Sequence, residues 1–227
     1  MKSKHLLVFF TLLSFLQVFA QRKLEYLDRG LVAVKVSNGV FLSWRILGTE
    51  PKTISFNVYR NGTKINSTPI TGATNMTDAS GTLTSTYTVK PIINNVEGAA
   101  DAPSKVWARQ VKAFPVSAPP VNSLPDGSTY TYEIADGSTG DLDGDGKLDI
   151  VFIWNPTNMR DNSLRGYTGN VWMDGYTLEG KRLFRLDLGK NIRAGCHYSQ
   201  FVVADFDVDG KAEIMVKTAP GTKDATG

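Results

Sequence analysis

Cysteine is almost absent from this chain of 227 residues, which has one cysteine and two histidines. A lone Cys196 cannot form a disulfide within the chain, so no disulfide framework supports the fold. We expect Cys196 to be a small buried hydrophobe rather than a nucleophile. We expect His197 to be a core or supporting histidine rather than a general base. Zinc prefers histidine and cysteine ligands, so this composition argues against a zinc site.

The chain also lacks a large excess of charge of one sign, because the formal net charge is only +3. No basic tract and no recognition-helix pattern is present, which argues against a nucleic-acid partner. Hydrophobic residues make up 41% of the chain, enough for one large or two ordinary domains with a real core. The 21 glycines and the recurring polar turn clusters favour an all-β protein over a helical one.

The one long hydrophobic run lies at the N-terminus, in MKSKHLLVFFTLLSFLQVFAQ. Lys2 and Lys4 precede an apolar stretch from Leu6 to Phe19, and small residues suitable for cleavage come just before Gln21. This pattern predicts a secretory signal peptide over residues 1–20, and the run is short for a membrane span. We therefore expect a secreted or periplasmic protein with no membrane attachment after signal cleavage.

Residues 21–118 read as short strands separated by turns. The β-rich runs cover 31–36, 40–46, 54–60, 85–90 and 105–111, and Asn61-Gly62 predicts a tight hairpin. About seven such strands are typical of a β-sandwich, and the pattern resembles a fibronectin type III module. Trp44 and Trp107 are expected to be core residues. The proline-rich stretch 115–128 predicts a linker to a second domain over 119–227.

A crowd of carboxylates precedes an apolar run in GDLDGDGKLDIVFIW, residues 140–154. Like charges this close repel one another and resist burial, so we expect a cation between them. Gly146 permits the sharp turn at position 6 of a calcium loop, but position 12 is Phe152 instead of the glutamate of an EF-hand. The apolar run predicts a strand. The expected ligands are Asp141, Asp143, Asp145, the Lys147 carbonyl and Asp149.

The same pattern returns in ADFDVDGKAEIMVKT, residues 204–218, and an apolar run again follows. Between the two loops, NVWMDGYTLEGKRLFRLDL predicts two strands around the turn at 178–181. About four strands per repeat predict blades of a β-propeller, the first with a long insertion. We expect the bound Ca²⁺ ions to be structural. The second set of expected ligands is Asp205, Asp207, Asp209, the Lys211 carbonyl and Glu213.

Several longer motifs together resemble the N-terminal part of bacterial rhamnogalacturonan lyases of polysaccharide lyase family 11. They include LDRGLVAVKV, FNVYRNG, GDLDGDGKLDIVFIWNP and VKTAPGTKDATG. The resemblance implies a secreted eight-bladed β-propeller with structural calcium, of which this chain holds a sandwich-like segment and the first blades. It also implies cleavage of rhamnogalacturonan I, a pectic polysaccharide, by β-elimination at galacturonate.

The resemblance also bears on individual residues. The family pattern has Asn-Asp after the Tyr-Thr-Tyr stretch and Trp-Asp-Pro after the first loop strand. This chain has Ala135-Asp136 and Trp154-Asn155-Pro156 there. The resemblance implies an additional calcium ligand at Asp136 and a sugar contact at Asn155. The family's catalytic lysine and tyrosine belong to a later part of the protein, so no catalytic residue is assigned.

A polyanionic substrate needs cations, and Lys217 and Lys223 are the lysines that we expect to contact it. Asp161 and Asn162 are expected to be turn residues. We expect a monomer. A second hypothesis is a secreted, calcium-dependent carbohydrate-binding or adhesion protein without catalysis, and a third is a broken gene product without function. Formation of an unsaturated uronate distinguishes a lyase from both alternatives.

Overall fold

The computed structural model describes residues 27–195, 198–224 and 226. All regular elements in these ranges are β-strands, which confirms the all-β class. Over the same ranges we find no helix long and apolar enough to cross a membrane. The expected signal peptide, Cys196 and His197 lie outside the described residues.

The N-terminal part consists of nine strands joined by short turns. In chain order they are β1 (Val32–Val36), β2 (Gly39–Ser43), β3 (Ser55–Arg60), β4 (Thr63–Lys64), β5 (Ile70–Thr71), β6 (Asn75–Asp78), β7 (Thr86–Ile93), β8 (Val96–Glu97) and β9 (Ser104–Trp107).

These strands form one hydrogen-bonded path in the order β4-β3-β7-β9-β1-β2-β6. Strand β9 joins one half of the sheet, which contains β3 and β7, to the other half, which contains β1 and β2. It pairs antiparallel with β7 and parallel with β1. Side chains from both halves, including Leu42, Phe56 and Tyr87, meet in one buried cluster. Trp44 lies in this cluster and is only 4% exposed, as expected. The sheet therefore folds over its own apolar face.

The predicted hairpin is present between β3 and β4, where Arg60 pairs with Thr63. Asn61 and Gly62 both have positive φ angles, of 50° and 81°. A two-residue turn of this kind matches the twist of the flanking strands, and asparagine followed by glycine adopts it with little strain. The other predicted runs are less exact, because β2 ends at Ser43 and β9 ends at Trp107.

The described residues of the C-terminal part form six strands. They are β10 (Tyr132–Gly140), β11 (Asp149–Pro156), β12 (Trp172–Tyr176), β13 (Arg182–Asp187), β14 (Phe201–Ala204) and β15 (Glu213–Val216). The first four form an antiparallel sheet in chain order, and β14 pairs antiparallel with β15.

Strand β11 is buried on both faces. Val151 and Ile153 face a cluster that includes side chains of β14 and β15. Phe152 and Trp154 face the opposite way, toward a cluster that includes Phe114 of the segment after β9. Successive side chains of a strand alternate between its faces, so an unbroken apolar run fits a strand covered on both sides.

A buried ion pair fastens this covering segment to the sheet. Asp174 is fully buried on β12 and accepts hydrogen bonds from Trp154 Nε1 at 2.8 Å and Arg185 Nε at 2.7 Å. Arg185 also donates to the Ser117 carbonyl oxygen at 2.5 Å. A buried carboxylate is tolerated only when it is paired and hydrogen-bonded, and every partner here comes from a different segment.

Candidate metal centres

The first acidic loop joins β10 to β11 and is organised around Asp141, which is fully buried. Its carboxylate accepts hydrogen bonds from the backbone N–H groups of Gly144 at 2.7 Å, Asp145 at 3.1 Å and Gly146 at 2.7 Å. Gly144 and Gly146 have φ angles of 81° and 84°, which glycine adopts without a side-chain penalty. The chain therefore wraps around one carboxylate.

Three carboxylates of this loop converge. Oxygen atoms of Asp141, Asp143 and Asp149 lie within 4.8 Å of one another. Asp149 is 3% exposed, and its Oδ2 accepts the Leu142 N–H at 2.9 Å. Burial, and then the charges of Asp143 and Asp141, raise the pKa of Asp149 above its ordinary value. The negative charge of Asp149 is therefore unfavourable in this loop, and a cation bound among the carboxylates would offset that cost.

Asp145 does not belong to this convergent set. Its Oδ2 lies 2.5 Å from Lys147 Nζ, and both side chains are about half exposed. The hydrogen bond from Lys147 lowers the pKa of Asp145. The structure thus pairs Asp145 with a lysine of its own loop, and its role as a calcium ligand stays a prediction.

The second acidic loop joins β14 to β15 and repeats the same backbone arrangement. The buried Asp205 accepts hydrogen bonds from the N–H groups of Val208 at 2.6 Å, Asp209 at 3.2 Å and Gly210 at 3.1 Å. Val208 adopts a φ of 67° at the position that Gly144 holds in the first loop. A β-branched residue rarely adopts this backbone conformation, so the rest of the loop must stabilise Val208 in it.

Four carboxylates converge in the second loop. They belong to Asp205, Asp207, Asp209 and Glu213, and their oxygen atoms lie within 4.8 Å of one another. Glu213 Oε2 accepts the Phe206 N–H at 2.8 Å, as Asp149 does with Leu142 in the first loop.

The two loops touch each other. The Ala212 N–H donates to the Asp141 carbonyl oxygen at 2.6 Å. The Lys211 side chain lies against Gly144, where an added Cβ would come within 3.0 Å of Lys211 Cε. In addition, the Asp28 N–H donates to the carbonyl oxygen of Gly146 in the first loop at 2.6 Å. Loop one therefore lies between the N-terminal part and loop two.

Both donor sets fit calcium better than softer metals. Calcium takes six to eight oxygen ligands in flexible geometry, and converging carboxylates supply such oxygens. The carbonyl ligands expected from Lys147 and Lys211 remain predictions. Asp136 is exposed on β10, at an irregularity between Ile134 and Gly137, and belongs to neither convergent cluster. Its role as a ligand also stays a prediction.

The expected substrate contacts lie on different elements. Asn155 is 6% exposed near the end of β11, and among the described residues its Oδ1 has no hydrogen-bond partner. Lys217 is exposed just after β15. Lys223 is exposed, bridges by its backbone to Asp187 of β13, and lines a cavity of about 410 Å³ together with Trp172. Substrate contact by these three side chains stays a prediction.

From the sequence, the long connection between β11 and β12 was expected to contribute only turn residues, at Asp161 and Asn162. The structure shows that Arg193, from a distant segment, holds this connection through several of its backbone carbonyls. A sequence signal was available, because a connection of this length without regular structure is uncommon and is often functional.

Comparison with known families places the chain among the rhamnogalacturonan lyases. Residues 111–227 match the family described as rhamnogalacturonan lyase family 11, C-terminal domain. Residues 22–107 match the β-sheet domain of rhamnogalacturonan I lyases. The chain therefore belongs to rhamnogalacturonan lyase family 11.

Individual relatives agree with this assignment. The chain is 50% identical over 208 residues to rhamnogalacturonan endolyase YesW of Bacillus subtilis, covering 92% of this chain and 33% of YesW. It is 47% identical to the exolyase YesX of the same organism, over 91% of this chain and 34% of YesX. The crystal structure of YesW superposes with a TM-score of 0.86, covering 91% of this chain and 35% of that one.

A third solved structure, the Bacillus licheniformis rhamnogalacturonan lyase PL11, is 55% identical with a TM-score of 0.85, over 91% of this chain and 35% of that one. The chain thus spans about a third of the length of each of these relatives.

Proposed function

We propose that this chain is the N-terminal third of a rhamnogalacturonan lyase that cleaves rhamnogalacturonan I by β-elimination. The observation that carries the proposal is the match to YesW, with 50% identity across 92% of the chain and a TM-score of 0.86. The match spans 208 of the 227 residues of the chain. The substrate class follows from the three relatives described above, all of which are named for rhamnogalacturonan.

The proposal includes the architecture of the two parts. We assign residues 21–118 to a fibronectin type III-like β-sandwich, supported by two strand groups that share one core. We assign residues 119–227 to the first blades of a calcium-binding β-propeller. The four-stranded antiparallel sheet β10–β13 has the strand number of a blade. The hairpin β14–β15, with its matching loop, corresponds to the start of the next blade.

Calcium in this proposal is structural. The carboxylates of Asp141, Asp143 and Asp149 would hold one ion, and those of Asp205, Asp207, Asp209 and Glu213 would hold another. A bound ion supplies positive charge that cancels the repulsion among these groups. Because both loops lead directly into strands, metal binding stabilises the sheets that β11 and β15 belong to.

The reaction itself begins with removal of the C5 proton of a galacturonate unit by a base. The adjacent carboxylate must be neutralised while negative charge develops, and the bond from C4 to the glycosidic oxygen then breaks. We assign no catalytic base to this chain. Its expected contribution is substrate contact through Asn155, Lys217 and Lys223. Export through the signal peptide over residues 1–20 would bring the protein to its pectic substrate.

A chimera tests the proposal. Residues 21–227 would replace the matching first third of YesW, and the product would be followed by the ultraviolet absorbance of its new conjugated double bond on rhamnogalacturonan I. We expect unsaturated product, and we expect none from residues 21–227 alone. A chimera that melts cooperatively and binds calcium but forms no unsaturated product would contradict the proposal.

The alternative is a secreted, calcium-dependent carbohydrate-binding or adhesion protein without catalysis. The observation favouring it is Asn155, a neutral amide where the family pattern has an aspartate. This alternative predicts that the chain binds rhamnogalacturonan, while the folded chimera leaves the polysaccharide intact.

A further inference from the structure

The connection between β11 and β12, residues 157–171, contains no strand but is firmly held. We call residues 157–169 the β11–β12 loop. The Arg193 guanidinium donates to the carbonyl oxygens of Gly166 at 2.6 Å, Leu164 at 2.7 Å and Asp161 at 3.1 Å. One side chain from a distant segment thus fixes three points of the loop backbone.

Further hydrogen bonds close the loop. Arg160 Nη1 donates to the Arg165 carbonyl oxygen at 3.1 Å. The Tyr198 hydroxyl accepts the Asn162 N–H at 2.7 Å and donates to Asp161 Oδ2 at 3.0 Å. At its far end, the Gly169 N–H donates to Asn158 Oδ1 at 2.9 Å. A compact surface loop with such internal bonding presents its remaining side chains in a fixed arrangement.

Two side chains on this loop are exposed and have no polar or ring partner among the described residues. Tyr167 is 53% exposed, and Arg165 is exposed as well. Within residues 27–195, 198–224 and 226, the Arg165 guanidinium forms no ion pair or hydrogen bond, and the Tyr167 ring makes no aromatic or cation contact. A loop fixed by its backbone therefore displays a free cation and a free aromatic ring two residues apart.

The charge and the place of the loop agree with an anionic ligand. The loop and Arg193 together carry three arginines and one aspartate, and Asp161 already accepts the Tyr198 hydroxyl. The loop starts directly after Pro156, and Thr157 donates its N–H to the Thr131 carbonyl oxygen at 2.9 Å. It thus leaves the sheet at the same end of β11 as Asn155.

We propose that the β11–β12 loop is a binding subsite for an acidic polysaccharide, in which Arg165 binds a uronate carboxylate and Tyr167 packs against a sugar ring. Arginine matches a carboxylate with two parallel hydrogen bonds, and lysine cannot reproduce that geometry. An aromatic ring offers a large rigid contact surface at low entropic cost. Because the loop is already ordered, binding costs little additional conformational entropy. The substrate class, rhamnogalacturonan I, rests on the function proposed above.

The test measures binding of rhamnogalacturonan I oligosaccharides to residues 21–227 by calorimetry, in calcium-containing buffer. We expect Arg165→Ala and Tyr167→Ala each to weaken binding about tenfold. Arg165→Lys should recover only part of the affinity. Binding by Arg165→Ala should also depend less on salt, since one charge contact is gone. Melting temperatures should stay at the wild-type value, because neither side chain supports the fold.

Matched controls sharpen the result. Leu164→Ala alters an exposed residue of the same loop, and Arg182→Ala removes an exposed arginine of β13; both should keep wild-type affinity. Arg193→Ala should weaken binding while hydrogen exchange of the loop accelerates. Unchanged affinity in Arg165→Ala and Tyr167→Ala would overturn the subsite, as would a wild-type chain that binds no oligosaccharide. The lyase proposal is judged separately, by the unsaturated product of the chimera.

Discussion

The two acidic loops have the same spacing and the same backbone hydrogen bonds, yet they use their carboxylates differently. In the second loop all four side-chain carboxylates converge, whereas in the first loop only three do, because Asp145 pairs with Lys147. The first loop is also tied on two sides, to Asp28 and to Ala212. The two copies of the motif therefore share one backbone conformation, while nearby charged side chains determine which carboxylates converge in each copy.

Removing calcium should have the largest effect on both loops. At free calcium about 100-fold above the dissociation constant, one site contributes about 2.7 kcal/mol, so two sites contribute about 5 kcal/mol. For a chain of this size chelation should lower the melting temperature by about 10 °C or more. Thermal melts with and without chelator check this, and calcium should restore the loss better than magnesium. An unchanged melting curve would remove the basis for metal at either loop.

Truncating the central carboxylate should break the loops unequally even without metal. Asp141→Ala and Asp205→Ala each leave two backbone N–H groups without an acceptor, since the third, of Asp145 or Asp209, also donates to Asp143 or Asp207. We expect a loss of about 3 kcal/mol for Asp141→Ala and about 2 kcal/mol for Asp205→Ala, because the first loop connects more segments. Denaturant melts in chelator provide the measurement. Asp143→Ala, at an exposed position, is the control and should cost under about 1 kcal/mol. Equal losses would mean that the hydrogen bond from Asp28 to the first loop contributes nothing to its stability.

Asp149 allows a test by pH. Burial, together with Asp143 and Asp141, raises its pKa in the folded state, so its charged form disfavours folding in metal-free protein. The metal-free protein should therefore gain stability as pH falls through this raised pKa, and calcium binding should weaken over the same range. Asp149→Asn should stabilise the metal-free protein near neutral pH and flatten this dependence. Melts in chelator across pH measure both effects, and a destabilised Asp149→Asn variant would contradict the assignment.

The smallest expected effect concerns the lysines at matching positions. Lys147→Ala removes the ion-pair partner of Asp145, whose carboxylate can then turn toward the metal. Because an exposed ion pair contributes under about 1 kcal/mol, calcium affinity at the first loop should rise by up to about fivefold. Lys211→Ala frees no carboxylate, since no ion pair of Lys211 is present among the described residues. Calcium titration of the two variants makes the comparison. An equal response would show that the Asp145–Lys147 pair does not compete with metal.

Several features could be predicted from the sequence because their causes are local. The Asn61-Gly62 hairpin follows from the positive φ angles that these two residues accept. The unbroken apolar run of β11 follows from burial on both faces. The Asp141 and Asp205 turns follow from a carboxylate that accepts the N–H groups of the next few residues.

Other features depend on segments far apart in the chain. Asp174, Arg185 and Ser117 belong to two strands and a covering segment, and their contact exists only once the sheet is covered. Arg193 reaches the β11–β12 loop across about 30 residues, so no spacing rule connects them. The positive φ of Val208 could not be predicted either, because the equivalent position of the first loop is Gly144 and a β-branched residue rarely adopts this conformation.

The amino-acid sequence alone indicated the β class, through its apolar runs and turn residues, and the backbone of the two acidic loops, because the bonds to Asp141 and Asp205 span fewer than ten residues. Tertiary structure alone decided which carboxylates converge, that loop two rests on loop one, and that Arg165 and Tyr167 stand free on a fixed loop. The physical reason is that burial and long-range contact set the electrostatic surroundings of a side chain, and neither is encoded in local spacing.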